Sequence, residues 1–472
     1  MSERIVSPNI SVNFAGISSP NPFWLASAPP TNCGEQVMRA FDAGWGGAVW
    51  KTIGDPITNV SSRYSSVDWN GQRMMGLNNI ELISDRPLEV NLREIAVVKK
   101  RYPRQAVIAS LMVESKREAW HTIVQQSEDA GADGLELNFG CPHGMSERGM
   151  GSAVGQVPDY AEMITTWVKE KARTPVLVKL TPNITDIRTV ARAAKRGGAD
   201  GLSAINTINS ITGIDLDTLI PRPNVDGKSS HGGYCGPAVK PIALNMVQQV
   251  QSDPEARLPL SGIGGISDWR DAVEFILLGC GSVQVCTAVM HYGYRIVEDM
   301  ADGLSNWMRE KGFAKISDFQ SLSLTRVQDW KHLNLNYKIV AQIHEEKCIG
   351  CQLCYTACWD GAHQCIHMDR VGTSNSHHAT PAMREAVSKQ SIAMTPIPKL
   401  DRATSGNGKE PYPTPLARIP RVDEAECVGC NLCSLVCPVD GCITMEQVDA
   451  HLAPQSWEQR TGNSSKPARK CD

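Results

Sequence analysis

Over its first two thirds the chain alternates between two hydrophobic patterns. Short, nearly continuous apolar runs occur at Phe23–Ser27, Gly47–Lys51, Ala106–Leu111, Gly134–Asn138, Val176–Leu180, Gly201–Ile205, Leu258–Ile263 and Ser282–Cys286. Their length and lack of a polar face fit strands buried on both sides. Between them, apolar residues recur at helical spacing in Gly34–Ala43, Leu88–Arg101, Ser115–Ala130, Asp159–Ala172, Ile184–Gly197, Pro237–Gln251, Asp268–Leu278 and Gly293–Lys311. Three of these stretches run into similar glycine turns: Ala130-Gly-Ala-Asp-Gly134, Gly197-Gly-Ala-Asp-Gly201 and Leu278-Gly-Cys-Gly-Ser282. Glycine there supplies a left-handed cap before the next buried strand. Eight strands alternating with eight helices predict an α/β chain with a closed (β/α)8 barrel over residues 1–315, followed by a linker at 316–338. An open doubly wound sheet would want a G-x-G-x-x-G turn after its first strand, and Phe23–Pro30 has none.

In such a barrel the active site lies at the carboxyl ends of the strands. Reading those ends in order gives Ala28, Lys51-Thr52, Asn138, Lys179, Asn206-Thr207, Gly264-Gly265 and Thr287. A buried lysine is tolerated only when paired or hydrogen-bonded, so two of them on apolar strands mark a site. A single Asn in this set could equally be a loop residue; the succession at strand after strand is what carries the reading. Ser261-Gly-Ile-Gly-Gly-Ile266 forms a glycine-rich turn into the helix at Asp268. With the turn after strand eight, it offers backbone N–H groups where barrels bind phosphate, which suggests a phosphorylated cofactor such as FMN. The loop Asn138-Phe-Gly-Cys141-Pro-His-Gly-Met-Ser-Glu-Arg-Gly-Met-Gly151 places a cysteine among glycines at the mouth. Cys141 on a mobile lid can act as a general acid or base, whereas Cys33, Cys235 and Cys280 read as structural thiols.

The cysteines change the picture for the rest of the chain. Of 16, half fall into two runs, Cys348-x2-Cys351-x2-Cys354-x3-Cys358 and Cys427-x2-Cys430-x2-Cys433-x3-Cys437. This is the ferredoxin spacing, in which the fourth cysteine of each run ligates the other cluster. One [4Fe–4S] cluster is then assigned to Cys348, Cys351, Cys354 and Cys437, and the second to Cys427, Cys430, Cys433 and Cys358. Zinc would more usually take separated C-x2-C pairs. Cys358 is followed by Trp359 in place of the usual Pro, and Cys365 and Cys442, just outside the runs, read as small buried residues. Clusters deliver single electrons, and a flavin converts them to two-electron chemistry.

A ferredoxin-like domain is expected over 339–450, with a Ser-, Thr-, His- and Pro-rich insertion at 370–421 and a frayed polar tail at 451–472. The net charge of −3 with mixed signs gives no reason to expect a nucleic-acid partner. Neither a secretory signal nor a membrane-spanning apolar stretch is evident, and thiolates kept available as ligands suit a reducing compartment, so a soluble cytoplasmic protein is expected.

Several motifs together resemble the catalytic half of the dihydropyrimidine dehydrogenases, and by extension the dihydroorotate dehydrogenase superfamily of FMN barrels. They are Ala43-Gly-Trp-Gly46, Lys51-Thr52, Leu77-Asn-Asn-Ile-Glu-Leu-Ile83, Asn138 through Gly151, Lys179-Leu-Thr-Pro-Asn183, Asn206-Thr207, Gly264-Gly-Ile266, Gln284-Val-Cys-Thr287 and both cysteine runs. The resemblance implies that Lys51, Lys179, Gly264, Gly265, Cys286 and Thr287 hold FMN. It implies that Asn79, Glu81, Asn138, Asn206 and Thr207 hydrogen-bond a pyrimidine ring on which Ile83 packs. Hydride would pass between FMN and C6 of uracil or thymine, with Cys141 as the acid or base at C5. The chain lacks the FAD- and NADP-binding part of the long eukaryotic form and so resembles the bacterial two-subunit form. A separate FAD- and NAD-binding subunit would then feed the clusters, in a homo- or hetero-oligomer. Two alternatives stand beside this: a dihydroorotate dehydrogenase, whose substrate carboxylate Glu81 would repel, and a non-catalytic electron-transfer or scaffold protein, against which the intact Cys141 loop argues.

Overall fold

The computed structural model describes residues 8–55, 57–141, 149–370, 418–448 and 452–462. The chain divides between Val327 and Gln328 into two compact units. In the first, eight parallel strands close into a barrel in chain order: β1 Phe23–Leu25, β2 Gly47–Val49, β3 Ala106–Leu111, β4 Gly134–Asn138, β5 Val176–Lys179, β6 Gly201–Ala204, β7 Leu260–Ile263 and β8 Ser282–Val285. The helices that follow them are α1 Gly34–Ala43, α2 Leu88–Arg101, α3 Arg117–Asp129, α4 Pro158–Lys169, α5 Ile187–Arg196, α6 Lys240–Ser252, α7 Trp269–Leu277 and α8 Ile296–Lys311. The alternation read from the sequence is therefore the fold. Several expected strands end one or two residues early, because the chain turns outward where its polar residues begin: β2 stops at Val49, before Lys51, and β8 at Val285, before Cys286.

The repeated turns show how local chemistry fixes the wall. Gly131, Gly198 and Gly279 all have left-handed backbones, with φ of 90°, 90° and 112°. In the two turns that continue Ala-Asp-Gly, the aspartate stitches the neighbouring strand. Asp133 accepts the Val107 N–H at 2.8 Å and Lys99 at 2.6 Å, and Asp200 accepts the Val176 N–H at 2.8 Å and Lys169 at 2.7 Å. At the other end, a hairpin of Val12–Phe14 and Ile17–Ser19 packs Phe14 and Ile17 on Trp24, Ile108 and Leu177, closing the barrel floor with apolar surface.

A second sheet, which the periodicity did not announce, stands on the barrel. Its order is Ile208–Ser210, Gly232–Cys235, Gln72–Asn79, Tyr64–Trp69, all antiparallel, and it is built from the loops after β2 and β6. The Asn70-Gly71 pair that turns its outer hairpin has positive φ at both residues, 46° and 80°. This is the backbone that asparagine and glycine tolerate best.

The second unit is an internal duplication. β9 Lys338–Ile343 pairs antiparallel with β12 Ile443–Val448, and β10 Ile366–Arg370 pairs with β11 Arg418–Val422. One cysteine run lies between β9 and β10, the other between β11 and β12. The expected insertion at 370–421 overlaps β10 and β11 at its ends, where Arg370 pairs with Arg418; its remainder lies outside the described residues. The tail reading needs correction between 452 and 462. Trp457–Thr461 is helical, capped by Ser456 with Gln459, and Trp457 packs on Trp330 with ring centroids 6.0 Å apart. A tryptophan with an aromatic partner and a capping box hold this segment where composition alone suggested fraying. Among the described residues no helix is long and apolar enough to cross a membrane.

Candidate functional site

The carboxyl ends of the strands open into one cavity. Lys51, Asn79, Glu81, Ile83, Asn138, Cys141, Lys179, Asn206, Thr207, Gly264, Gly265, Cys286 and Thr287 all line it. The barrel contributes most of them directly. Asn79, Glu81 and Ile83 arrive by a different route, on and just beyond the Gln72–Asn79 strand of the accessory sheet.

Glu81 is the electrostatic centre of this wall. It is 9% exposed, and it accepts from Lys51 Nζ at 2.9 Å, an Arg63 guanidinium N–H at 3.0 Å and the Tyr64 hydroxyl at 2.6 Å. Burial alone would raise its carboxyl, but the charge of Lys51 and the hydrogen bonds from Tyr64 and Lys51, with Arg63, hold it below the usual range. Burial and the bond to Glu81 push the Tyr64 phenol up. Arg63 and Tyr64 did not figure in the sequence reading; the Asn70-Gly71 turn was the signal that could have placed them on a hairpin facing Asn79.

Asn138 and Asn206 form a chain across the mouth. The Asn138 amide donates to Thr52 Oγ1 at 2.9 Å, the Asn206 amide donates to Asn138 Oδ1 at 2.9 Å, and Asn206 Oδ1 accepts the Thr207 N–H at 2.8 Å. Each amide is thereby oriented, which a planar heterocycle with alternating donors and acceptors requires. Cys141 sits against Ile83, Met112 and Met150 in a small apolar cluster. Its carbonyl accepts the Ser152 N–H at 3.0 Å, anchoring the loop just after its glycines. The lid expected around it falls on 142–148, outside the described residues.

Beneath the mouth, Lys179 Nζ stands 3.6 Å from Glu136, a fully buried carboxylate that also accepts from Gln284 at 3.1 Å. Both cavity lysines therefore face a carboxylate. After β7, Gly264 and Gly265 have φ of 125° and 77°. A Cβ on Gly265 would meet Lys240 Cβ at 2.7 Å, and one on Gly264 would meet Ala243 at 2.8 Å. Only glycine allows this close backbone cradle. The Thr287 hydroxyl donates to Cys235 Sγ at 3.2 Å, and burial pushes the Cys235 thiol up to about 11 and that of Cys286 up to about 12. Neither is a thiolate at neutral pH. Two lysines, a glycine cradle and a wide mouth form a donor set that fits a phosphorylated ring cofactor.

In the second unit the cysteines form two separate cages. Cys348, Cys351, Cys354 and Cys437 line one, and Cys427, Cys430, Cys433 and Cys358 line the other, the crossed grouping. Four thiols converging at each cage suit a cubane cluster. Each cage also has a further cysteine on its wall, Cys442 in the first and Cys365 in the second. Both are buried, as the sequence reading expected, and they stand on the cage walls.

A parallel barrel with a lysine-bearing polar mouth, joined in one chain to four-cysteine cages, defines a barrel oxidoreductase with iron–sulfur chemistry. Residues 9–308 match the dihydroorotate dehydrogenase family, and 420–441 match the 4Fe-4S binding domain; the chain belongs to the dihydroorotate dehydrogenase family. It is 46% identical over 364 residues to the NAD-dependent dihydropyrimidine dehydrogenase subunit PreA of Escherichia coli (strain K12), covering 77% of this chain and 88% of that protein. The chloroplastic dihydropyrimidine dehydrogenase (NADP(+)) of Arabidopsis thaliana is 44% identical over 329 residues, covering 67% of this chain and 77% of that one. The catalytic subunit of dihydroorotate dehydrogenase B (NAD(+)) from Pyrococcus abyssi is 36% identical over 315 residues, covering 67% of this chain and 99% of its own.

Proposed function

We propose that this chain is the catalytic subunit of an NAD-dependent dihydropyrimidine dehydrogenase, interconverting uracil or thymine and their 5,6-dihydro forms. The observation that carries the choice of substrate is the charge balance of the mouth. Among the described lining residues the cations are Lys51 and Lys179, and each faces a carboxylate, Glu81 and Glu136. A neutral ring with in-plane amide groups suits such a wall, whereas the carboxylate of dihydroorotate would meet ionised Glu81 without a spare cation.

In this reading Lys51, Lys179, Gly264, Gly265, Cys286 and Thr287 would hold FMN, which would supply the two-electron chemistry at C6 of the ring when bound. Asn79, Glu81, Asn138, Asn206 and Thr207 fix the pyrimidine plane through its carbonyl and N–H groups, and Ile83 packs on its face. In the direction of reduction, the Cys141 thiol gives its proton to C5 as the C5–C6 double bond is lost, and the thiolate regains a proton from solvent. In the reverse direction the thiolate removes that proton. The apolar contacts of Cys141 with Ile83, Met112 and Met150 limit water around this step. The barrel over 1–315 performs the chemistry. The domain over 339–450 carries two [4Fe–4S] clusters with the crossed ligand sets, fed by a separate FAD- and NAD-binding subunit.

The test is an anaerobic assay of the cluster-loaded protein with reduced viologen against uracil, thymine and orotate, with Cys141→Ala in parallel. Uracil and thymine should be reduced and orotate should not. Cys141→Ala should lose roughly 10²–10⁴-fold in turnover with its flavin absorbance unchanged, the usual worth of a positioned acid. Reduction of orotate alone would assign the chain to the alternative substrate.

A further inference from the structure

Each cluster cage is built with five cysteines where four suffice, and the fifth is placed by the same backbone device in both halves. Cys365 immediately precedes β10, and its carbonyl accepts the N–H of Asp423, the residue after β11, at 2.8 Å. Cys442 immediately precedes β12, and its carbonyl accepts the N–H of His344, the residue after β9, also at 2.8 Å. The two cysteines are 5% and 2% exposed. The contacts of their thiols match as well. Cys365 Sγ lies 3.5 Å from Cys358 Sγ and within hydrogen-bonding reach of Cys427. Cys442 reaches Cys437 and Cys348, and its Sγ also lies 3.8 Å from the His344 carbonyl, a second acceptor for its S–H. In each cage the extra thiol thus touches the remote fourth cysteine and the first cysteine of the run.

We infer that Cys365 and Cys442 are paired tuning thiols, non-ligating fifth cysteines that donate S–H hydrogen bonds to the ligand sulfurs of their own cluster and raise its reduction potential. This rests on reading the two runs as cluster ligands. A thiol beside Cys358 rather than across the cage from it occupies the position of a donor to a bound thiolate, since ligands on one cube hold different iron corners. Hydrogen bonds to cluster sulfurs are among the factors that set the potential. They strengthen as the acceptor gains negative charge, so they favour the reduced cluster. The S–H group is a weak donor, and the shift from each is accordingly modest. The duplication makes the effect equal in kind at both clusters, which keeps two neighbouring carriers close in potential.

The experiment is potentiometric titration of the full, cluster-loaded chain followed by electron paramagnetic resonance, with iron and acid-labile sulfide counted in the same samples. Cys365→Ala should keep the wild-type iron content and lower the potential of one cluster. Cys442→Ala should lower that of the other, and the double variant both. Cys365→Ser and Cys442→Ser retain a donor and should titrate at or above wild type, which a purely space-filling role would not produce. Unmoved potentials in the alanine variants, or a serine series that tracks alanine, would overturn the inference. Loss of half the iron in an alanine variant would also overturn it, by making that cysteine a ligand. Wild-type protein with zinc and no acid-labile sulfide would instead sink the cluster reading itself.

Discussion

At the scale of single residues, the decisive group is Glu81, whose identity as a site residue came from a motif but whose state is set by its neighbours. The positive groups facing it are Lys51 and Arg63, with Asp85 pairing Arg63 from outside at 3.8 Å, and Tyr64 as a neutral donor. Because its carboxyl is held below the usual value near ~4.3, the stability contributed by ionised Glu81 is present above that value and lost as pH falls through the depressed one. Tyr64→Phe removes a bond to a charged acceptor worth about 1.5–3 kcal/mol. The carboxyl then rises toward its ordinary value. The acid edge of pyrimidine binding is expected to move to higher pH, with an increase in KM at neutral pH and little change in flavin content, measured as uracil KM across a pH series.

The scale of elements shows which parts of the site could be read in advance. Lys51, Asn138, Lys179 and Thr287 follow apolar runs directly, so locating the strands located them. Asn79 and Glu81 follow no barrel strand, and only the family motif drew attention to them; the sheet that carries them shows weak alternation of apolar and polar residues, and register between distant loops is not a local property. The cysteine runs are the opposite case, since their spacing already states the chemistry. The crossed grouping makes a discriminating prediction. Cys437→Ser should perturb or empty the cage of Cys348, Cys351 and Cys354, in the other cysteine run, and leave the signal of the cage of Cys427, Cys430 and Cys433. Resonance spectra with an iron count check this, and loss of the neighbouring run's cluster would reverse the assignment.

At the scale of the whole molecule, the two units rest on different physics. The barrel buries a large set of aromatic and aliphatic side chains, among them Trp24, Trp45, Trp50 and Trp120. The second unit's core is mostly sulfur: among the described residues, six of the ten in its buried hydrophobic cluster are Cys354, Cys358, Cys365, Cys427, Cys433 and Cys442. Without a bound metal such a core has little apolar area to offset chain entropy, and binding free energy becomes folding free energy. Removal of iron by a chelator under reducing conditions should therefore abolish one calorimetric transition and leave that of the barrel near its original temperature. A single merged transition lost altogether would contradict this division.

The sequence by itself determined what depends on neighbours along the chain. Apolar runs and helical spacing produce the alternation of β and α, glycine turns end the helices, and the cysteine spacing defines the ligand runs. The tertiary structure decided what depends on residues far apart. It set Arg63 and Tyr64 against Glu81 from an outer hairpin, and Glu136 beneath Lys179 from the adjacent strand. It also brought Cys365 and Cys442 into the cages that the sequence had placed them beside. Local propensity is encoded residue by residue, whereas charge pairing, burial and close approach arise only once the strands have closed and the two halves of the second unit have paired.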